Sequence, residues 1–226
     1  MSDVELYLRS LELANPLREP VIRTEIESLR LPPGSNGLDV GCGIGLYTIL
    51  LAVAVGLGGH VTGLDITKEF LTKARSLASE SGVGNRISFK EGDACQLPFD
   101  ENTFDWTCSM DFAGYAPLDP VVLLKEMGRV VKPGGRVFIL MWSSQKLLPG
   151  FPMLEARLNA TSSGTALFNA AINPESHMMR ALGWFGRSGL IEPEVRTFVR
   201  DIRPPLSPEI RTALTDLGQK SRLRTG

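Results

Sequence analysis

The stretch Leu38-Asp39-Val40-Gly41-Cys42-Gly43-Ile44-Gly45 constrains this chain more than any other. A short apolar run enters a turn with glycine at every second position. Leu46, Ile49, Leu50 and Val53 then follow at helical spacing. Glycine lets a backbone turn sharply and approach a ligand closely. A strand that runs through such a turn into a helix brings the first N–H groups of that helix to one edge of a sheet. In open α/β sheets that edge, at the carboxyl ends of the strands, is where ligands bind.

The surrounding pattern agrees with an α/β reading. Strand-like runs at Gly37–Gly41, His60–Leu64, Arg86–Glu91, Phe104–Ser109 and Arg136–Trp142 alternate with helix-like segments. That rhythm predicts βαβ units and a mostly parallel sheet. Pro20 suits the first turn of a helix running to about Arg30, stopped by Pro32-Pro33-Gly34. Thr67 suits an N-cap, with Phe70, Leu71, Ala74, Leu77 and Ala78 on the inner face of its helix. Asp119-Pro120 opens a helix through Val131, and Lys132-Pro133-Gly134-Gly135 is a tight stop. Beyond Trp142 the pattern weakens, with a short helix near Met153–Asn159. A helix from Asn173-Pro174 to about Arg187, a strand at Glu194–Asp201 and a helix from Ser207-Pro208 complete the reading. The inner face of that last helix is Ile210, Leu214 and Leu217.

Two cofactor classes compete for the glycine turn. A dinucleotide site calls for G-x-G-x-x-G, which places the third glycine where Leu46 stands. The observed spacing is G-x-G-x-G, preceded by Asp39. An acid there suits an ammonium or sulfonium better than a diphosphate, which favours S-adenosylmethionine. Two further acids end strands: Asp65 after the second and Asp93, in Gly92-Asp93-Ala94, after the third. Asp65 falls near the position of the ribose-binding acid in nucleotide folds. It would equally suit the first turn of the next helix, and Asp93 would suit a turn that bonds its own backbone.

Taken together, Leu38–Gly45, Gly63-Leu64-Asp65-Ile66, Gly92-Asp93-Ala94 with Leu97-Pro98-Phe99, Phe104-Asp105-Trp106 and Glu126–Gly135 resemble a class I S-adenosylmethionine-dependent methyltransferase. The similarity is to the broad small-molecule branch that includes ubiquinone/menaquinone-type enzymes, and it spans roughly residues 35–142. It implies a Rossmann-like, doubly wound α/β sheet of order 3-2-1-4-5-7-6 with helices on both faces and an antiparallel seventh strand. It also implies that Asp39, Gly41, Cys42 and Gly43 line the methionine end of the cofactor. Asp65 would hold the ribose, Ile66 would pack from above, and Asp93 with Ala94 would meet the adenine. Met110 and Asp111 would edge the cofactor. The chain is then one methyltransferase domain over 1–226: an N-terminal helical segment 1–36, a cofactor-binding core 37–142, an irregular substrate-side segment 143–172, and C-terminal helices and a strand over 173–226. No seventh strand is legible before Gly226: either the chain is truncated relative to its relatives or the sheet is incomplete, and an uncovered edge would invite pairing with another chain, such as a second copy of this one.

Methyl transfer from a sulfonium needs alignment in a dry pocket, and a base only where the acceptor must lose a proton. Candidates for the acceptor pocket are Tyr47, Asp111, Phe112, Tyr115 and Trp142, and no catalytic residue is assigned; each aromatic also suits plain core packing. The three cysteines form no metal-ligand spacing, so no metal is expected. With 24 basic and 25 acidic residues the net charge is −1, which argues against a nucleic-acid partner. No apolar run is long enough to span a bilayer, and charged residues in the first 15 positions argue against a secretory leader, which points to the cytoplasm. The expected partner is a small-molecule methyl acceptor. A macromolecular acceptor and a cofactor-binding fold without catalysis, or with nicotinamide, stay open as alternatives.

Overall fold

The computed structural model describes residues 3–114, 116, 118–142, 150–159, 175 and 178–223. Five parallel strands form one sheet: β1 (Asn36–Val40), β2 (His60–Asp65), β3 (Ile87–Glu91), β4 (Phe104–Met110) and β5 (Val131–Leu140), in the order β3-β2-β1-β4-β5. The helices are α1 (Asp3–Leu29), α2 (Leu46–Val55), α3 (Lys68–Glu80), α4 (Pro120–Val130), α5 (Pro152–Asn159), α6 (Ala181–Ser188) and α7 (Pro208–Leu223). This is the expected Rossmann-like arrangement through its fifth strand. The order reverses between β1 and β4, which pair directly, Asp39 with Cys108. A crevice therefore opens at the carboxyl ends of these two strands.

Two apolar cores flank the sheet. On one side Val21, Ile22 and Ile26 of α1 and Leu50, Leu51 and Val55 of α2 pack on Val61, Trp106, Cys108 and Met110. On the other, Leu123, Leu124 and Met127 of α4 and Trp184 of α6 pack on Leu38, Val40, Leu64 and Phe104. Trp106, Cys108 and Met110, two residues apart, face one core together, as the two-residue period of a strand requires, whereas Phe104, across the register shift at Phe104/Trp106, belongs to the other. The α4 entry follows its local code: the Asp119 carboxylate accepts the Val121 N–H at 2.8 Å, with Pro120 in the first turn.

Three elements depart from the sequence expectation. Helix α1 does not begin at Pro20; it begins at Asp3 and runs through Pro16 and Pro20. Each proline removes one helical donor, a cost that isolated helices rarely bear. Tertiary contacts hold this one: Tyr7 stacks on Phe70 with ring centroids 5.7 Å apart, Glu12 pairs with Lys73 at 2.7 Å, and α7 packs along α1. The stop at Lys132–Gly135 lies inside β5 as a bulge. Val131 pairs with Phe104 and Arg136 with Trp106, and four residues loop out between them.

The third departure is Glu194–Asp201, expected as a strand. It forms no strand among the described residues, so the sheet order beyond β5 and the strand within 173–226 are not found there. Its alternating apolar residues do not meet a partner face. Val195 and Val199 are exposed, only Phe198 tucks against a core, and Arg196 bonds the Ser28 carbonyl and Glu194. Expectations for 143–149 and 160–174, including the helix opening at Asn173-Pro174, fall outside the described residues.

Gly37 illustrates how tightly the sheet accepts its cover. A Cβ there would lie 2.0 Å from the Trp106 ring, whose indole N–H donates to the Ser35 hydroxyl at 2.9 Å. Neither group has room to yield. Gly37→Ala is expected to lower unfolding free energy by about 3 kcal/mol, read from urea denaturation.

Candidate functional site

The glycine turn leaves β1 at Val40 and is tied back to the neighbouring strand. The N–H groups of Gly41 and Cys42 both donate to the Leu64 carbonyl, at 2.8 and 2.9 Å, and the Gly45 N–H donates to the Cys42 carbonyl at 2.9 Å. Gly41, Gly43 and Gly45 have φ of 76°, 53° and 76°, a region L side chains rarely adopt. Gly41 has a second constraint: a Cβ there would lie 2.3 Å from the Phe112 ring. Phe112, two residues past the end of β4, thus seals one wall of the turn. Gly43 differs, with nothing within 4 Å of the equivalent position, so its face is open.

Asp65, at the end of β2, joins two elements. One carboxylate oxygen accepts the Gly43 N–H and the other the Thr67 N–H at the start of α3, both at 2.9 Å. Thr67 makes no side-chain cap of its own, so Asp65 holds the entry to α3. Each oxygen keeps a second lone pair for a diol donor. The N–H groups of Gly41, Cys42, Gly43 and Gly45 are thereby all engaged, the third of them by an acid. Such a turn has few donors left for a diphosphate and presents negative charge instead. Beside it Ile66 is exposed, an apolar side chain standing at the rim.

Asp39 sits behind the turn. It is buried, accepting the Thr48 hydroxyl at 2.7 Å and the Cys108 thiol at 3.7 Å. It therefore joins β1, α2 and β4 from within. Burial raises its pKa to about 6, against the opposing pull of the Thr48 and Cys108 bonds. Burial likewise pushes the Cys42 and Cys108 thiols up, so both stay protonated. At the next strand end Asp93 is exposed and accepts the Cys95 N–H at 2.8 Å, while Ala94 is buried. Because β3, β2 and β1 are neighbours, Asp39, Asp65 and Asp93 do come to one edge.

A second cluster stands across the crevice, at the end of β4. Asp111, with φ 51°, accepts the Trp142 N–H at 2.9 Å through one oxygen. Its other oxygen meets Arg18 at 3.0 Å and the Tyr47 hydroxyl at 3.4 Å. The Arg18 guanidinium lies 5.5 Å from the Trp142 ring centroid. Three predicted residues, Tyr47, Asp111 and Trp142, thus meet. Met110 turns into the core, Phe112 covers the glycine turn, and Tyr115 lies outside the described residues.

Sequence reasoning missed Arg18, which α1 brings to this cluster, and Glu25, two turns farther along the same helix. Burial and the nearby Asp111 charge raise the Glu25 pKa to about 7. The available signal was their spacing: seven residues put both on the helix face that also carries Val21 and Ile22. Starting the helix at Pro20 hid it. Among the described residues no group of three or more His, Cys, Asp and Glu side chains is arranged to hold a metal.

The buried Asp39 makes stability pH-dependent. Its folded pKa of about 6 lies above the ordinary 3.8, so its contribution is complete below about pH 4 and is lost as pH rises through 6. Asp39→Asn removes that titration while keeping an acceptor for Thr48. Between pH 4 and 7 the fall in unfolding free energy is expected to be about 2 kcal/mol smaller in the variant, measured by urea denaturation at each pH.

Comparison with known proteins places this geometry. Residues 38–139 match the methyltransferase domain family. The demethylmenaquinone methyltransferase of Bacillus licheniformis is 39% identical over 129 residues, covering 57% of this chain and 53% of that protein. That of Staphylococcus haemolyticus is 38% identical over 126 residues, covering 56% and 51%. The chain thus spans about half the length of these curated relatives. A solved S-adenosylmethionine-dependent methyltransferase from Aquifex aeolicus superposes with a TM-score of 0.55 at 26% identity, over 65% of this chain and 78% of the other. The YcgJ protein of Bacillus subtilis shares the fold more fully, with a TM-score of 0.60 at 21% identity over 90% and 82%. Residues 38–139, with the glycine turn and the acids at the sheet edge, thus match the methyltransferase domain family and are similar to S-adenosylmethionine-dependent methyltransferases.

Proposed function

We propose that the protein transfers the methyl group of S-adenosylmethionine to a small organic acceptor of the quinone type, releasing S-adenosylhomocysteine. The observation that carries this reading is the state of the glycine turn. Its N–H groups are engaged internally and a carboxylate stands at Gly43, which suits a sulfonium nucleoside and disfavours a dinucleotide. In this reading Asp65 accepts the ribose hydroxyls on its free lone pairs, and Ile66 covers the adenosine. Asp93 accepts the adenine amine beside the Ala94 N–H. Gly41, Cys42 and Gly43 give backbone access to the methionine end. Asp39 acts from behind the turn by fixing α2 to β1.

The bound cofactor supplies an already activated methyl group, so the protein's own work is alignment and exclusion of water. Phe112 and Trp142 wall the acceptor side, Asp111 and Tyr47 provide polar contacts, and Met110 holds the end of β4 in the core. The small acceptor is supported by the names of the curated relatives and by the near-neutral charge, which offers no long-range attraction to nucleic acid. Among the described residues no helix is long and apolar enough to cross a membrane. We place the reaction in the cytoplasm, and the outer edge of β5, unpaired among the described residues, offers a surface for a homo-oligomer.

Isothermal calorimetry with S-adenosylhomocysteine tests the cofactor assignment. The native chain is expected to bind. Asp65→Ala is expected to bind at least ten-fold more weakly, a loss of about 1.4 kcal/mol or more. Unchanged affinity in that variant, or stronger binding of NADH than of S-adenosylhomocysteine, would overturn it.

A further inference from the structure

The side chains that α1 gives to the core begin at Val21, yet the helix extends well upstream of it and is fastened there on both banks of the crevice. We propose that α1 up to Arg18 is a strap over the open face at Gly43, and that breaking its two ion pairs, Glu12 with Lys73 and Arg18 with Asp111, is the step that admits and releases the sulfonium nucleoside. This inference rests on the S-adenosylmethionine reading and adds the control of cofactor exchange to it.

Two anchors set the path of the strap. At one end Tyr7 stacks on Phe70, with ring centroids 5.7 Å apart, and Glu12 meets Lys73 at 2.7 Å, so the helix lies against the first two turns of α3. At the other, Arg18 meets Asp111 at 3.0 Å, beside the hydroxyl of Tyr47 in the first turn of α2. From Tyr7 to Arg18 a helix rises about 16 Å. Four adjacent strands, β2 to β5, span about 14 Å. The stretch between the anchors therefore crosses the carboxyl edge, from the side of β2 to that of β4 and β5. The starts of α2 and α3 that it touches are joined by the glycine turn and Asp65, and they flank the open face at Gly43. Positions 11–20 are all half-buried, as befits a helix that rests on this edge and has α7 packed along it.

The two latches hold without locking. Both are partly open to water, with Lys73 34% and Glu12 39% exposed, and Arg18 34%. Ion pairs of that kind are individually weak and are screened by salt. The seat for Arg18 is rigid. Asp111 sits at φ 51°, fixed by its own N–H on the Leu140 carbonyl and by the Trp142 N–H on one carboxylate oxygen. The Tyr47 hydroxyl bonds the other oxygen, so the carboxylate keeps its place when the guanidinium leaves. Arg18 is thus the moving part of that latch.

The prolines supply the hinge. Pro16 and Pro20 stand one turn apart, and neither offers an N–H, so the carbonyls of Glu12 and Pro16 lack their helical donors. A helix missing two successive bonds of one strip bends there more readily than elsewhere. Beyond the hinge Val21, Ile22 and Ile26 stay seated in the core while the first half swings. Glu19 bridges the hinge from the polar side, accepting from Asn15 at 2.7 Å and pairing with Arg23 at 2.6 Å.

The test measures association and dissociation rates of S-adenosylhomocysteine on the full chain by stopped-flow tryptophan fluorescence, with Tm as a control. The probe carries no net charge at neutral pH, so a salt dependence belongs to the protein. Native rates in both directions are expected to rise between about 20 and 300 mM salt. In the double variant Arg18→Gln with Lys73→Gln both rates are expected to rise by about ten-fold and to lose that dependence. A merely structural role would lower Tm and speed dissociation without speeding association, and that result overturns the strap. The converse variant, Glu12→Cys with Lys73→Cys, is oxidised to lock the strap shut. Both rates are expected to fall by about ten-fold or more and to recover on reduction, with the two single variants unaffected by the oxidant. Rates unchanged by the lock, or failure of the lock to form, overturn the proposal while leaving cofactor binding intact. Absence of S-adenosylhomocysteine binding in the native chain overturns the cofactor reading itself.

Discussion

The end of β2 holds the glycine turn from two sides. The Leu64 carbonyl takes the N–H groups of Gly41 and Cys42, and the Asp65 carboxylate takes that of Gly43 while also receiving Thr67. A turn through left-handed conformations gains little from its own sequence, since glycine is the residue that loses most freedom on folding. These bonds to a neighbouring strand are what give it one shape. They also decide its chemistry: donors that are engaged internally are not offered to phosphate, and an acid stands beside the turn. Carboxylates bonded to backbone N–H groups are among the stronger hydrogen-bonded contacts in proteins.

The two other acids of the edge show how differently one residue type behaves with depth. Asp39 is buried, bonded to Thr48 and Cys108, and carries a raised pKa. Asp93 is exposed and shapes a turn by accepting the Cys95 N–H. Asp65, also buried, keeps a second lone pair on each oxygen beside the open face at Gly43. The sheet brings all three together because adjacent parallel strands end in register, and their roles separate because each strand end lies at a different distance from solvent.

Across the crevice, α1 supplies what the sheet lacks. Without it, Asp111 would face solvent with no cation, and Trp142 would lose the guanidinium that covers its ring. The helix reaches that position through two prolines, held by contacts to α3 and α7. The helix is thus retained against its local preference by contacts distant in sequence. Exposed charge pairs elsewhere, such as Arg203 with Asp201, contribute little by comparison.

The sequence by itself determined the alternation of strands and helices in an α/β sheet, because glycine spacing, strand-end acids and cap pairs such as Asp119-Pro120 are local signals that packing does not rewrite; the strand order came only from the resemblance those motifs carry. It also named Tyr47, Asp111 and Trp142, since residues just past strand ends in such a sheet reach its carboxyl edge. Tertiary structure alone decided the course of α1, because proline's local penalty was overridden by Phe70, Lys73 and α7, none of them near it in sequence. It decided that Glu194–Asp201 is no strand, because alternation describes a ribbon with two faces and says nothing of whether a partner is present. It brought Arg18 to Asp111 across 93 positions. Local pattern encodes which elements form, whereas the charge environment of a group depends on which distant chain segments exclude water from it.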